Sequence, residues 1–225
     1  MRVLPLFIAL SIIGCSAETA PAPDAKTPPN AAEITAPSGA YVLDPSHASL
    51  VFRVDHLGFS HYTASFDRFD AALNFDPSAP ETMTLSASID VSSLDIPTPP
   101  DGFLEELLGV DWFDADTHPE IIFHSNELIP TGPNSARVDG NMTMLGTTVP
   151  LSFDVTYKGG YAGYPPYDPN ARIGFIAEGK INRSHFGLAT GLPPEGSTMG
   201  VADLVTFRID AEFTGPPAEE ANNNP

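Results

Sequence analysis

The sequence predicts an all-β domain, an eight-stranded antiparallel β-barrel with a short helix near its mouth. Three observations predict it. Residues 40–214 alternate apolar and polar side chains repeatedly, the period-two signature of strands with one buried and one wet face. Turn-forming residues, among them Asp76-Pro77, Asn134, Gly159-Gly160 and Asp168-Pro169, separate the alternating runs. No helices alternate with the strands, so hairpins rather than parallel crossovers join them.

Four runs are clearest. Leu50, Phe52 and Val54 alternate with Val51, Arg53 and Asp55, and Met83, Leu85, Ala87, Ile89 and Val91 alternate with Thr84, Ser86, Ser88 and Asp90. Val149, Leu151, Phe153, Val155 and Tyr157 alternate with Pro150, Ser152, Asp154 and Thr156. Val205, Phe207, Ile209, Ala211 and Phe213 alternate with Thr206, Arg208, Asp210 and Glu212. Shorter strands are expected at Tyr62–Phe69, Ile121–Asn126, Arg137–Met144 and Ile173–Ile181. One segment departs from the pattern. Gly102-Phe-Leu-Glu-Glu-Leu-Leu-Gly109 reads as a short amphipathic helix, a lid or plug beside the barrel.

A small barrel closes its sheet edges and turns one side-chain face inward. That face carries Phe52, Val54, Phe66, Met83, Leu85, Ile89, Phe123, Met142, Met144, Phe153, Phe175, Phe207 and Ile209. Aromatic and Met walls suit a long, flexible apolar ligand, because Met adapts its shape. The same residues would also make a dry packed core, and alternation alone does not separate the two. His56 continues the Leu50-Phe52-Val54 face, which places it inward, within reach of a ligand headgroup.

The chain ends carry different signals. Arg2 precedes an apolar run from Val3 to Ile13, too short to span a bilayer and fitting a secretory leader. Ile12-Ile13-Gly14-Cys15 resembles the bacterial lipobox, which implies cleavage before Cys15 and acylation of Cys15, the only cysteine. Two or more acyl chains give stable anchoring where one does not. Ser16 rather than Asp after the cysteine resembles the outer-membrane sorting pattern, which applies where the organism has an outer membrane. Residues 15–39 are rich in Ala and Pro and read as a linker, and 215–225 as a frayed tail. The expected organisation is a leader (1–14), a lipid-anchored linker (15–39), a barrel (40–214) and a tail.

Charge excludes some partners. With 10 Lys and Arg against 29 Asp and Glu, the net charge is −19. Such a field repels a phosphate backbone, so nucleic acid is not an expected partner, and it repels an anionic bilayer too. A single cysteine excludes an internal disulfide. No metal site is expected. His47, His56, His61, His118, His124 and His185 form no paired metal-ligand motif, and His56 and His61, which share a loop, are two ligands where zinc needs three or four. Catalysis by an activated nucleophile has no motif here, since Gly-x-Ser-x-Gly is absent and the one thiol is consumed by acylation. Arg183 is expected to be structural and to anchor a carboxylate, Asp203 or Asp44, because a buried guanidinium favours a planar bidentate partner.

Five segments in order then carry a family resemblance. They are Tyr41-Val-Leu-Asp-Pro-Ser-His-Ala-Ser-Leu-Val-Phe52 with Val54-Asp-His-Leu-Gly58, Asp111-Trp-Phe-Asp-Ala-Asp-Thr-His-Pro-Glu-Ile-Ile-Phe123-His-Ser, Gly140-Asn-Met-Thr-Met-Leu-Gly146, Ile181-Asn-Arg-Ser-His-Phe-Gly187, and Val201-Ala-Asp-Leu-Val205. Together they resemble the YceI-like family of bacterial envelope proteins over nearly all of 40–214. The resemblance implies an extended lipocalin-like barrel, a polyisoprenoid or other long-chain amphiphile in an apolar tunnel and frequent homodimers, in a family for which no catalytic activity is established as a class. The chain departs from the family at Pro-rich Ile96–Gly102, at Trp112 where Phe is usual, and at His185 where an acid is usual. The first two border the expected mouth.

The expected function is therefore non-catalytic carriage or sequestration of an isoprenoid, quinone-like or fatty amphiphile at the cell envelope, without a cofactor. Two other readings use the same residues. One is an interaction module with a filled core, acting through the Gly159–Asn170 loop and its Tyr161, Tyr164 and Tyr167. The other is a metal- or haem-associated envelope enzyme using histidines near the mouth.

Overall fold

Strand β1 (Gly39–His56) runs the length of the domain, and every other element is placed by its pairing to it or to its neighbours. The computed structural model describes residues 35–217. Cys15, the leader and most of the expected linker lie outside those residues, as does the tail beyond 217.

The other strands are β2 (Ser60–Phe66), β3 (Phe69–Phe75), β4 (Thr84–Asp90), β5 (Leu94–Asp95), β6 (Glu120–Gly132), β7 (Ser135–Met144), β8 (Thr147–Tyr161), β9 (Asn170–Asn182) and β10 (Val201–Pro217). All pairings are antiparallel, and the sheet closes where β1 meets β10, from Val42 opposite Thr214 to His56 opposite Val201. β2 and β3 are two halves of one kinked barrel strand. β1 pairs with both, Val51 facing Ser65 and Gly39 facing Phe75. β4 and β5 are likewise halves of the next, pairing with β3 and β2 respectively. The barrel is therefore eight-stranded, as the alternation predicts.

The expected single strand Tyr62–Phe69 is corrected by this kink. Asp67 and Arg68 sit at the bend, where the Asp67 amide donates to the Ser93 carbonyl and the Arg68 amide to Ser93 Oγ. The facing strand bends at the same level through a 3-10 turn at Val91–Ser93, and Asp90 caps it by accepting from the Ser92 amide. Arg68 then bridges to Asp90 at 2.8 Å. Two polar residues between Phe66 and Phe69 thus shift the inward face without breaking the barrel.

The domain edges also differ from expectation. Ala36 is buried, Thr35 Oγ1 donates to the Gly160 carbonyl, and Tyr41 donates to the Pro37 carbonyl. At the other terminus β10 continues through Pro217, since Gly215 lies flat on the Tyr41 ring where any Cβ would clash. Both segments pack because the ring of Tyr41, almost wholly buried, needs a cover.

Helix α1 (Phe103–Leu108) forms where the sequence placed it, between glycines. Gly102 takes φ of 78°, a conformation that costs most residues more than glycine. Leu107 is buried against Val91, Leu94, Ile96 and Ile121, so the helix caps one end of the barrel. At the opposite end Tyr41, Leu43, Leu73, Phe75, Tyr157, Ile173 and Phe213 pack into a closed plug. Outward positions carry the charges, with Arg208 between Glu178 and Asp210 and Arg137 on Asp139. A barrel wet outside and apolar inside reverses the pattern of a membrane-spanning barrel.

A four-residue bulge in β1 between Leu43 and Ala48 takes Asp44 and His47 out of register with β10. Asp44 accepts from His47 Nδ1 at 3.0 Å and from the guanidinium of Arg172, which also bonds Asp168. These partners hold Asp44 at about 2. His47 is raised, first by its hydrogen bond to Asp44 and then by the charges of Asp44 and Glu212, with Arg172 opposing. A raised histidine stabilises the fold fully below its unfolded value of about 6.5, and that stabilisation is lost as pH rises through the folded value. The melting temperature should therefore fall slightly as pH rises above about 6.5, and His47→Ala should flatten that slope. Thermal unfolding of both proteins across this range checks it; an unchanged slope in the variant would count against the assignment.

Candidate functional site

Inward side chains of all eight barrel strands line a cavity of about 640 Å³. Every residue expected on the inner face borders it: Phe52, Val54, His56, Phe66, Met83, Leu85, Ile89, Phe123, Met142, Met144, Phe153, Phe175, Phe207 and Ile209. The choice between cavity and packed core rests on exposure. Phe52, Leu85, Ile89, Met142, Phe207 and Ile209 all point inward yet keep part of their surface accessible. Their surface borders space rather than neighbouring atoms, so the filled-core alternative is corrected.

Small residues make that space. Ala71 and Ala87 face each other across β3 and β4, and Ala87 also faces Phe123 on β6. Gly140 and Gly179 let rings lie flat on the wall. A Cβ on Gly140 would come within 2.4 Å of the Phe123 ring, and one on Gly179 within 2.5 Å of Phe207. The aromatic wall is continuous from Phe123 through Phe153 to Phe207, with ring centroids 5.2 and 5.9 Å apart. Phe52 and Phe66 stack at 5.5 Å nearer the helix.

Exposure of the lining residues locates the opening. His56, Pro97, Thr98 and Pro100 are exposed, on the β1–β2 hairpin and the segment before α1. Their mouth is opposite the plug at Tyr41. Thr84 is the other exposed lining residue, where β4 parts from β6. There Ser125 Oγ accepts from the Leu85 amide at 2.7 Å, replacing a ladder carbonyl. Among the described residues no carboxylate lines the cavity, and the side chains with polar atoms along it are His56, Tyr62, Thr84, Thr98, Trp112, Ser125 and Arg183.

Arg183 is buried, but the expected carboxylate partner is corrected. Its Nε donates to the Ala202 carbonyl, Nη1 to Leu188 and Thr190, and Nη2 to Val201. Asp203 instead accepts from the Ser184 amide and hydroxyl, both at 2.8 Å, and Asp44 is held by Arg172 and His47. Burial pulls the guanidinium below its ordinary range and the charge of Asp203 pushes it back. Arg183 also lies 5.7 Å from the Trp112 ring. A planar fork of donors can gather carbonyls from a loop as readily as it grips a carboxylate. Arg183 thus fixes the 188–202 loop along one side of the mouth.

Several lining residues escaped sequence reasoning. Leu73 and Phe75 lie on β3 beyond the kink at Asp67 and beyond the expected strand end at Phe69. Leu128 follows a bulge between Ser125 and Glu127 that restarts the alternation out of phase. Ile96, Pro97, Thr98, Phe103, Leu107, Trp112 and Phe113 belong to non-strand segments, and only their Pro-rich and amphipathic composition marked them.

Other chemistry lies elsewhere. Among the described residues, Asp44, His47 and Glu212 bring ligand atoms within 4.8 Å of one another, but Arg172 already bonds Asp44. That group is near the plug, not the mouth. His61 and Asp55 face each other on the mouth hairpin. Tyr164 and Tyr167 stack at 5.6 Å on the exposed β8–β9 loop, also at the plugged end.

The sequence profile of a family described as YceI-like domain matches residues 41–213. A UPF0312 protein of Vibrio cholerae is 28% identical over 174 residues, covering 76% of this chain and 85% of that protein. Among solved structures, Burkholderia cenocepacia BcnA superposes with a TM-score of 0.64 at 25% identity, covering 76% of this chain and 98% of BcnA. A Saccharophagus degradans domain, described as polyisoprenoid binding and implicated in plant cell wall breakdown, superposes with a TM-score of 0.59. It is 14% identical, covering 79% of this chain and 99% of that one, a likeness of fold.

The Arg183 geometry makes a test. Arg183→Lys keeps the charge but cannot reach four carbonyls, so buried acceptors lose their donors at about 1–3 kcal/mol each where water cannot replace them. Urea unfolding should show a loss of about 2–4 kcal/mol in total. A variant as stable as the parent would show that water satisfies the loop.

Proposed function

The chain belongs to the YceI-like family, and from that premise we propose that it binds the tail of a long-chain amphiphile, an isoprenoid, quinone-like or fatty species, without chemical conversion. The observation that carries this reading is the apolar cavity inside the barrel. Its walls offer hydrocarbon and aromatic surface and almost no hydrogen-bonding groups, the lining a tail needs and a polar substrate would not tolerate. The fold neighbour described as polyisoprenoid binding supports the same ligand class.

Volume bounds the cargo. At roughly 30 Å³ for each water-sized group, the cavity holds about twenty carbon-sized groups. A longer chain emerges at the mouth. Each buried CH₂ is worth about 0.8 kcal/mol against water. A membrane lipid already enjoys that burial in the bilayer, so transfer between bilayer and barrel is close to neutral and reversible. The head stays at the rim, where His56 and Thr98 are the exposed polar lining side chains.

The lipobox-like Ile12-Ile13-Gly14-Cys15 supports a reading in which this barrel is tethered by lipid at the cell envelope, in the outer membrane where the organism has one. The acidic surface would otherwise keep it from anionic headgroups.

Organic extraction of the purified protein followed by mass spectrometry tests the reading. A near-stoichiometric long-chain species is expected. Ala87→Phe, which projects a ring into the cavity, should lower the occupancy at least tenfold while the barrel still melts cooperatively. His56→Ala should retain the tail but broaden the range of headgroups. A parent protein free of any long-chain species after isolation from its own host's membranes would sink the proposal.

A further inference from the structure

The mouth is ringed by side chains that neither the barrel nor the cavity needs. Phe59 is 79% exposed, Val110 78% and Met199 60%. They stand on three separate loops, and hydrogen bonds join those loops into one rim. The Leu57 amide donates to the Gly200 carbonyl at 2.9 Å, linking the Phe59 hairpin to the Met199 loop. Thr190 Oγ1 donates to the Asp111 carbonyl at 2.6 Å, linking that loop to the segment carrying Val110. Thr198 packs against Gly58, leaving no room for a Cβ there. Arg183 fixes the Met199 loop from behind through its four carbonyls. The apolar tips are thus held out on a stiff support around the opening.

Charge says what they meet. Residues 55–62, 96–118 and 184–204 contain no Lys or Arg, while they hold Asp55, Asp101, Glu105, Glu106, Asp111, Asp114, Asp116, Glu195 and Asp203. Such a rim is repelled by anionic headgroups and by an acidic partner. Isolated apolar tips set among uncompensated acids suit a surface that is greasy beneath and neutral on average, which is a zwitterionic bilayer. Continuity with the cavity points the same way. A tail leaving a bilayer for the barrel crosses water unless the mouth touches the membrane, and these tips border the mouth.

We propose that the rim formed by Phe59, Val110 and Met199 is a docking surface for zwitterionic lipid bilayers, through which the cavity exchanges its cargo. This rests on the lipid-binding reading above. The reach of the chain permits it. Strand β10, with 17 residues at about 3.3 Å each and a tilt of about 40°, gives a barrel roughly 43 Å tall. Residue 35 lies at the plugged end, beside Gly160. The twenty residues from Cys15 to Ile34 extend at most roughly 70 Å, enough for a mouth turned back to the membrane that holds Cys15.

The test uses the chain from Ser16 to Pro225, which lacks Cys15 and keeps the whole barrel with its core clusters. Co-sedimentation with phosphatidylcholine vesicles should show binding, with roughly tenfold weaker partition for Phe59→Asp and for Val110→Asp. Tyr164→Asp, at the plugged end, should bind like the parent. Replacing about one-third of the lipid with phosphatidylglycerol should weaken binding, and added salt should restore part of it. The proposal is overturned if the parent ignores phosphatidylcholine, if Phe59→Asp has no effect, or if Tyr164→Asp is the variant that fails. It is also overturned if sedimentation shows a dimer that Phe59→Asp dissolves, which would make the rim a contact between two copies. Lipid extraction from the same samples separates the two readings. Variants that retain their long-chain species but miss vesicles have lost docking alone, whereas a parent that docks while empty leaves the surface standing and removes the cargo.

Discussion

Pairing of β1 with β10 is the interaction on which the rest depends. An open sheet of these strands would curl until its apolar face met itself, and the interior would collapse. Closure fixes the circumference through backbone hydrogen bonds, so the walls cannot approach one another to fill the space between them. The void left by Ala71, Ala87 and the wall glycines persists because the ladders hold it open. It also removes the long free edge that β10 would otherwise offer another chain. The cost of a partly empty interior is offset at the ends, where the Tyr41 plug and the α1 cap pack densely.

The two ends do different work. At the plug, Tyr41, Phe75, Phe175 and Phe213 meet edge to face at centroid distances of 5.7 to 6.3 Å, and burial pushes the Tyr41 hydroxyl up to about 12. At the mouth, order comes from single polar anchors instead, Ser93 at the kink and Arg183 under the 188–202 loop. Hydrogen bonds to loop carbonyls hold shape without filling volume, which suits a rim that surrounds an opening.

Alternation made the barrel legible in the sequence, because inward and outward chemistry differ so sharply along β4, β8 and β10. It also placed the inner wall, since a residue two positions from Phe207 or Leu85 shares its face. It failed wherever the register slipped. The kink at Asp67, the bulge at Asp44–His47 and the bulge near Asn126 each shift the period by an amount that only the partner strand defines. Arg183 was legible as buried, yet its partners lie in main-chain carbonyls, which every residue has and no sequence distinguishes. Whether the inner wall encloses space was beyond pattern altogether, because a cavity depends on how large rings on one strand face alanines on the next.

The plug at Tyr41 has a kinetic consequence. A tunnel open at both ends could pass cargo through, one molecule pushing out the last. If the cavity holds a tail as proposed, a tunnel sealed at one end would admit the tail tip first and release it by the same route, head leading. No second tail could enter until the first had gone, so exchange would run through an empty barrel. The lifetime of such a loaded state would then reflect the free energy of that empty interior, and a competing lipid would shorten it little. A container of that kind would meter its cargo by time rather than by demand.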